Sequence, residues 1–459
     1  MPSIASATSV DRPHLIDWYQ RNRLRSRRLF DLIDDAAYYS RPIVLRNPIV
    51  FYEGHLPAFS LISLVKRGLG RPGVDERLEQ LFARGIDPDS VDLAVPRSGA
   101  STIWPTRESV LAFASLADRA IVDALEHAPL DLEGRKNPAM ERGQAIYTAL
   151  EHEAMHQETL LYMWHRLPHS QKVAPRGATD PDGLLPALTY DTGIPAPAQS
   201  TVAIPAGVAT LGADRMTIPF GWDNEFQAHR VEVRAFDIDV HNVTNADFLQ
   251  FVEAGGYRNR ALWSDAGWAW REEEDVTHPA FWVRHEDQWL WRGMFDDIPL
   301  PGAWPVYVSN MEAEAYARWR GRRLPSEPEY HRAAFGTPRG EERAFPWGSD
   351  APDSTRGNFD FTSWEPVAAG SYPAGVSAWG VHDLIGNGWE WTSTPFAPFA
   401  GFEPMVSYPE YSAEFFDGQH YVMKGASPGT ARELVRRSFR NWFRPNYPYV
   451  YASFRTAVS

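Results

Sequence analysis

The chain has 459 residues, 44% apolar and 23% charged, and a formal net charge of −14. That length admits two or three domains. The acidic balance argues against a broad nucleic-acid-binding face, no apolar run approaches the roughly 18 residues of a membrane span, and the absence of cysteine excludes disulfides, thiolate metal ligands and a cysteine nucleophile.

The N-terminal stretch MPSIASATSVDRPHLIDWYQ lacks the apolar core of a secretory signal, so the expected compartment is the cytoplasm. Residues 1–167 read as helical. Apolar residues recur through HLIDWYQRNRLRSRRLFDLI, PIVFYEGHLPAFSLISLVKRGL, TRESVLAFASLADRAIVDAL and NPAMERGQAIYTALEHEAMHQETLLYMWHRL. Thr106 is a fair N-cap for the third segment, with Ser109 where a full capping box would place Glu. Pro168 stops the fourth. Four long amphipathic segments, with a longer excursion between the second and third, predict a four-helix bundle.

Residues 168–200 are rich in Pro, Gly, Ala and Asp without clear periodicity and predict an extended linker. Residues 201–459 change texture. The β-like runs TVAIPAGVATLGA and RVEVRAFDIDV alternate with Gly- and Trp-rich loops, interrupted by two helical pieces, TNADFLQFVEAGG and NMEAEAYARWRG. The fold class expected is α+β in two domains, the second held together by its many aromatic rings.

Within the fourth helical segment, HEAMH places His152 and His156 four residues apart. At 3.6 residues per turn they lie about 40° apart on one face, among Ala149, Leu160 and Met163. Buried, hydrogen-bonded histidines are one reading of that face. Metal ligands are another, because a metal and an acceptor satisfy both nitrogens of each ring. The literal H-E-x-x-H pattern raises a zinc metalloprotease, with Glu153 as general base. Its third ligand is missing. The downstream positions that would complete a metzincin hold Thr159 and Tyr162, and the chain then enters the linker. Upstream, FYEGHLPAF offers His55 at the start of the second segment, and facing helices of a bundle project ligands into a shared core. Three imidazoles suit catalytic Zn or non-heme Fe(II) by ligand type.

VFYEGHLPAF and HEAMHQET together resemble the ergothioneine sulfoxide synthases. VTNADFLQFVEAGGY, PVYVSNMEAEAYARW, RLPSEPEYHRAA, LIGNGWEWTSTPF and SFRNWFRPNYPYVYASFR extend that resemblance, in order, through the second half. It implies a DinB-like helical bundle fused to a formylglycine-generating-enzyme-like domain of C-type-lectin-like fold. It also implies Fe(II) on His55, His152 and His156, and an O2-dependent bond between a sulfur or selenium nucleophile and imidazole C2 of hercynine. Hercynine contacts carry over to Gln157, Asn441 and Trp442. A Trp face suits a quaternary ammonium, and Asn can bond a carboxylate or a ring nitrogen. Without cysteine, the formylglycine-forming chemistry of the related domains is out of reach.

The donor site departs from the branch that uses γ-glutamylcysteine. Phe443 stands where that branch has an acid, and Phe396 and Phe399 occupy a loop where it has tyrosines. MKGASPGTARELVRRSFRNWFRPNYPYVYASFR resembles the selenoneine branch, so a selenosugar donor is placed slightly ahead of free cysteine. Arg444 is a candidate donor contact, or else a surface ion pair. Tyr447, Tyr449 and Tyr451 are candidate proton donors, or else packing residues of a terminal strand. Asn387 and Glu390 resemble a structural Ca2+ site of related domains, or else pack. A non-catalytic small-molecule-binding protein is the remaining alternative; a three-histidine site with open positions argues against it.

Overall fold

The structure is a computed structural model describing residues 10–83, 104–175 and 182–459. The reading of the N-terminal nine residues, most of the excursion after the second helical segment and part of the linker lie outside the described residues. The chain divides into two compact units, Met1–Pro175 with Pro404–Tyr411, and Arg176–Glu403 with Ser412–Ser459.

The first unit is helical: α1 (Arg12–Phe30), α2 (Ile49–Ser60), α3 (Glu76–Phe82), α4 (Arg107–His127) and α5 (Gln144–Arg166). The Asp11 side chain caps α1 by accepting from the His14 N–H, and Thr106 caps α4 through Ser109 N. Leu15, Trp18, Leu64, Ile121, Leu125, Ile146 and Leu150 are core residues of this unit. α2 runs on as π-helical turns over Leu61–Gly68. α5 starts at Gln144, later than the apolar periodicity suggests. Residues Pro138–Gly143 form a separate 3₁₀ turn that ends with Arg142 at φ 53° and Gly143 at φ 76°. Two successive left-handed residues cannot continue a right-handed helix. The seven-residue α3 is too short for periodicity to reveal. Pro404–Tyr411 is distant in sequence but groups with this unit: Ser407 Oγ lies 2.8 Å from Thr148 Oγ1, and Ser407 N donates to Gln144 Oε1 at 3.1 Å.

The second unit carries short strands. β1 (Thr201–Ile204), β2 (Gly207–Leu211), β3 (His229–Val233) and β4 (Phe236–Asp239) come from the two β-like runs. β5 (Trp282–His285), β6 (Gln288–Arg292) and β7 (Asp297–Pro299) form a meander. β8 (Gly388–Pro395), β9 (Tyr421–Ala426), β10 (Asn441–Phe443) and β11 (Ala452–Ser453) build a sheet in the order β10-β9-β8-β11, and β12 (Ala457–Val458) closes β1-β4-β12. Helices α6 (Asn245–Glu253) and α8 (Asn310–Trp319) are the two pieces foreseen, each opened by a capping box, Thr244/Asp247 and Ser309/Glu312. α7 (Asp265–Glu273) and α9 (Glu327–Phe335) complete the unit.

Buried Trp222, Trp282, Trp291, Trp304 and Trp391 fill its interior. Two indoles also hold the described part of the linker: Trp364 Nε1 donates to Pro186 O at 2.9 Å and Trp304 Nε1 to Asp191 O at 3.1 Å. Among the described residues no helix is long and apolar enough to cross a membrane.

Candidate metal centre and ligand-binding residues

His55 lies in the interior of α2, two residues before Pro57. Gly54 beside it has a packing reason: a Cβ there would stand 2.4 Å from the Phe82 ring. Phe82 ends α3, and a helix's last carbonyls lack intrahelical partners. Here that carbonyl accepts from His55 Nδ1 at 2.7 Å. The bond fixes the Nδ1–H tautomer and leaves Nε2 with its lone pair. His55 Nε2 stands 3.3 Å from His152 Nε2. The His152 and His156 ring centroids are 4.4 Å apart, and each is 5.0 Å from His55. One ligand atom from each of the three lies within 4.8 Å of the others, the one such His/Cys/Asp/Glu group among the described residues.

Burial pulls the His55 imidazole down to about 4. Burial, and then the neighbouring histidines, pull His152 well below its ordinary range. His156 is lowered by burial first, then by His55 and Arg46. All three rings are therefore neutral, the state a metal ligand needs. His152 Nδ1 and His156 Nδ1 are buried and take no protein hydrogen bond. The donor set fits a three-histidine metal site.

Aromatic rings wall the triad. Phe59 stacks on His152 at 3.4 Å and Phe51 on His55 at 5.0 Å. Tyr52 lies 5.7 Å from His156, and Tyr408 lies 5.0 Å from Phe59 and 6.2 Å from His152. Nothing in the sequence singles out Tyr408. Tyr408 and Tyr411 follow shortly after the Phe396/Phe399 loop, and Tyr411 Oη donates to Met155 Sδ at 3.4 Å.

Glu153 does not join the histidines. Its Oε1 accepts from Arg23 Nη1 at 2.9 Å and Ser26 Oγ at 2.7 Å, both on α1. Gln157 is fully buried, and its Nε2 donates to Asn22 O at 2.8 Å and Ser26 Oγ at 3.1 Å.

In the second unit, Asn441, Trp442 and Phe443 are β10 itself, paired with Met423, Val422 and Tyr421. Asn441 Oδ1 accepts from Trp442 N at 2.9 Å, which leaves the Asn441 NH2 as its donor group. Trp442 stacks on Phe396 at 4.2 Å with 6° between planes. Phe399 lies under Arg440 at 4.1 Å. Phe443 stacks on Tyr447 at 5.1 Å, and Tyr449 meets Tyr447 edge-on at 5.3 Å. Tyr451 is buried against Tyr307 and Phe281. Arg444 donates to Gln419 Oε1 at 3.0 Å.

Asn387 and Glu390 do not fit a calcium site. Arg455 engages both Glu390 oxygens at 2.6 Å. Asn387 Oδ1 accepts from Val367 N at 2.8 Å and its Nδ2 donates to Val367 O at 2.9 Å. Their oxygens already serve the fold.

Residues 19–160 match the DinB superfamily, and residues 192–459 match the sulfatase-modifying factor enzyme 1-like domain. The chain is 35% identical to the hercynine oxygenase of Mycolicibacterium thermoresistibile, over 95% of this chain and 92% of that one. It is 34% identical to the hercynine oxygenase of Mycolicibacterium smegmatis, over 98% and 99% of the two chains. The ergothioneine biosynthesis protein 1 of Neurospora crassa is 26% identical, over 99% of this chain and 58% of that protein. The chain belongs to the hercynine oxygenase family of oxygen-dependent enzymes, the ergothioneine sulfoxide synthases.

Proposed function

We propose that this chain is a cytoplasmic, Fe(II)- and O2-dependent enzyme that joins a selenol or thiol donor to imidazole C2 of hercynine. Residues 1–167 supply the metal ligands His55, His152 and His156. Residues 168–200 connect them to a catalytic partner domain, 201–459. Gln157, Asn441 and Trp442 are the hercynine contacts, and Phe443 and Arg444 contribute to the donor site. The observation that carries the reading is the cluster of three imidazoles whose ligand atoms lie within 4.8 Å of one another.

Bound Fe(II) would supply O2 activation and hold the anionic chalcogen beside hercynine. Three neutral ligands leave the cation's full charge, which favours a thiolate or selenolate. The protein's own groups do the rest. The Trp442 π face meets the trimethylammonium, the Asn441 NH2 meets the carboxylate, and the Phe51 and Phe59 rings exclude water from the histidines. The Tyr408 hydroxyl, rather than Tyr447, Tyr449 or Tyr451, is the proton donor, because Tyr408 is a phenol packed against a triad histidine.

A zinc protease is disfavoured because Glu153, its general base, is committed to Arg23 and Ser26. The test is anaerobic Fe(II) loading, then O2 with hercynine and a panel of donors, read by mass spectrometry. A C–Se or C–S adduct of hercynine with matching O2 uptake is expected. Ligand binding with no O2 uptake would favour a non-catalytic binding protein and overturn the proposal.

A further inference from the structure

The hydrogen-bond network behind the histidine helix fixes which end of the Gln157 amide is available to a ligand. Ser26 has one hydroxyl proton, and it goes to Glu153 Oε1 at 2.7 Å. Arg23 Nη1, which donates to the same oxygen at 2.9 Å, marks that oxygen as an acceptor. Ser26 Oγ can then only accept from its other neighbour, Gln157 Nε2, at 3.1 Å. The second Nε2 hydrogen goes to the backbone carbonyl of Asn22 at 2.8 Å. Asn22 is itself anchored, since its Nδ2 donates to Leu150 O at 2.9 Å.

Two acceptors thus hold the NH2 end of Gln157. A flipped amide would set its oxygen against a carbonyl oxygen and a hydroxyl whose proton is committed elsewhere. Gln157 Oε1 remains, fully buried and without a protein partner. A buried carbonyl oxygen left unpaired costs free energy unless a ligand donor reaches it.

We propose that Ser26, held by Glu153, is a positioning residue that locks Gln157 as a hydrogen-bond acceptor, so that Gln157 recognises an N–H or cationic group of the ligand and not its carboxylate. This rests on Gln157 being a hercynine contact. Gln157 then keeps its oxygen for the imidazole N–H or the ammonium methyls. The network also gives Glu153 a role, which is to orient Ser26.

The test is anaerobic calorimetric binding of hercynine and of hercynine methyl ester to the Fe(II)-loaded protein, with no turnover. Gln157→Met should weaken both ligands by the same factor, about fivefold for one neutral hydrogen bond. A loss confined to hercynine would mean that Gln157 donates to the carboxylate, and would overturn the proposal. Ser26→Ala should weaken hercynine by a similar factor in the wild-type background and have no effect in Gln157→Met, because it acts through Gln157. Ser26→Thr, which keeps the hydroxyl, should restore binding. Additive losses, or failure of Thr to rescue, would remove Ser26 from this role. Wild-type protein that binds neither ligand would overturn the functional reading itself.

Discussion

Arg23 on α1 meets Glu153 on α5 at 2.9 Å, with 7% and 1% of the two side chains exposed. Arg23 also meets Asp118 of α4 at 2.9 Å, and Tyr19 Oη donates to Asp118 at 2.7 Å. One guanidinium therefore ties three helices together beneath the metal-ligand helix. Breaking a buried pair from one side leaves an uncompensated charge, at about 3–5 kcal/mol. Arg23→Met should lower thermal stability by that amount, and adding Glu153→Gln should recover much of it. A double variant no more stable than Arg23→Met would show that the pair is not coupled in this way.

The triad should link metal binding to stability. A ligand held only by the folded state stabilises by about 2.7 kcal/mol at a hundred times its dissociation constant. Anaerobic Fe(II) should therefore raise the melting temperature of the wild type. His55→Ala, His152→Ala and His156→Ala should each abolish that rise while folding normally. A full Fe(II)-dependent rise in His55→Ala would remove His55 from the ligand set.

Tyr408 should matter for chemistry more than for binding. A positioned proton donor contributes about 10²–10⁴ in rate. Tyr408→Phe keeps the ring that packs on Phe59 at 5.0 Å and loses only the hydroxyl. Its kcat should fall within that range while Fe(II) and hercynine affinities stay within about twofold. An unchanged kcat would return the proton-donor role to Tyr447, Tyr449 or Tyr451.

The helical unit was legible because its signals are local. Apolar periodicity, the Thr106 cap and the four-residue spacing of His152 and His156 all survive into the structure. His55 was legible too, because a histidine beside a glycine in an apolar helix stands out. Tyr408 and the Ser26–Glu153–Gln157 network were not. Tyr408 reaches the first unit on a segment that departs from the second and returns to it, and the network joins residues more than 120 apart. No period in a sequence encodes either. The breaks in helicity at Arg142 and Gly143 follow from φ values that apolar patterning does not report.

Asp383 sets a pH dependence in the second unit. Burial pushes its carboxyl up to about 6, against the pull of the Gly370 N–H. The folded state then holds this proton more tightly than the unfolded one, so the group's favourable contribution is present below about pH 4 and is lost as pH rises through about 6. A shift of about two units corresponds to about 3 kcal/mol of penalty at neutral pH. Asp383→Asn removes the charge, and Asn tolerates the φ of 53° found there. The variant should be more stable than the wild type at pH 7.5 and lose that advantage at pH 4.5. A difference independent of pH would sink the assignment.

On the proposed function, the donor follows from what surrounds β10. Phe443 stacks on Tyr447 at 5.1 Å and offers no acid to the amino group of γ-glutamylcysteine. The carboxylate beside Arg444, Asp417, accepts from His420 Nδ1 at 2.9 Å and lies 4.0 Å from Arg444 itself. It is already paired. Phe396 serves as the wall behind Trp442, and Phe399 as the platform for Arg440, so neither offers a phenol to a donor carboxylate. A zwitterionic donor would find its ammonium poorly matched in a partly buried site, which costs several kcal/mol. A neutral sugar can lay its C–H face on the Phe443 ring and bring hydroxyls to the Arg444 fork. The kcat/KM with saturating hercynine and Fe(II) should rank a selenosugar or thiosugar first, free cysteine second and γ-glutamylcysteine last. Replacing Phe443 by Asp should raise the two amino-acid donors by about tenfold relative to the sugar, the worth of one partly buried charge pair. Cysteine ahead of the sugar in the wild type would place the enzyme with the cysteine-using branch, and γ-glutamylcysteine ahead of both would show that Phe443 does not govern the choice.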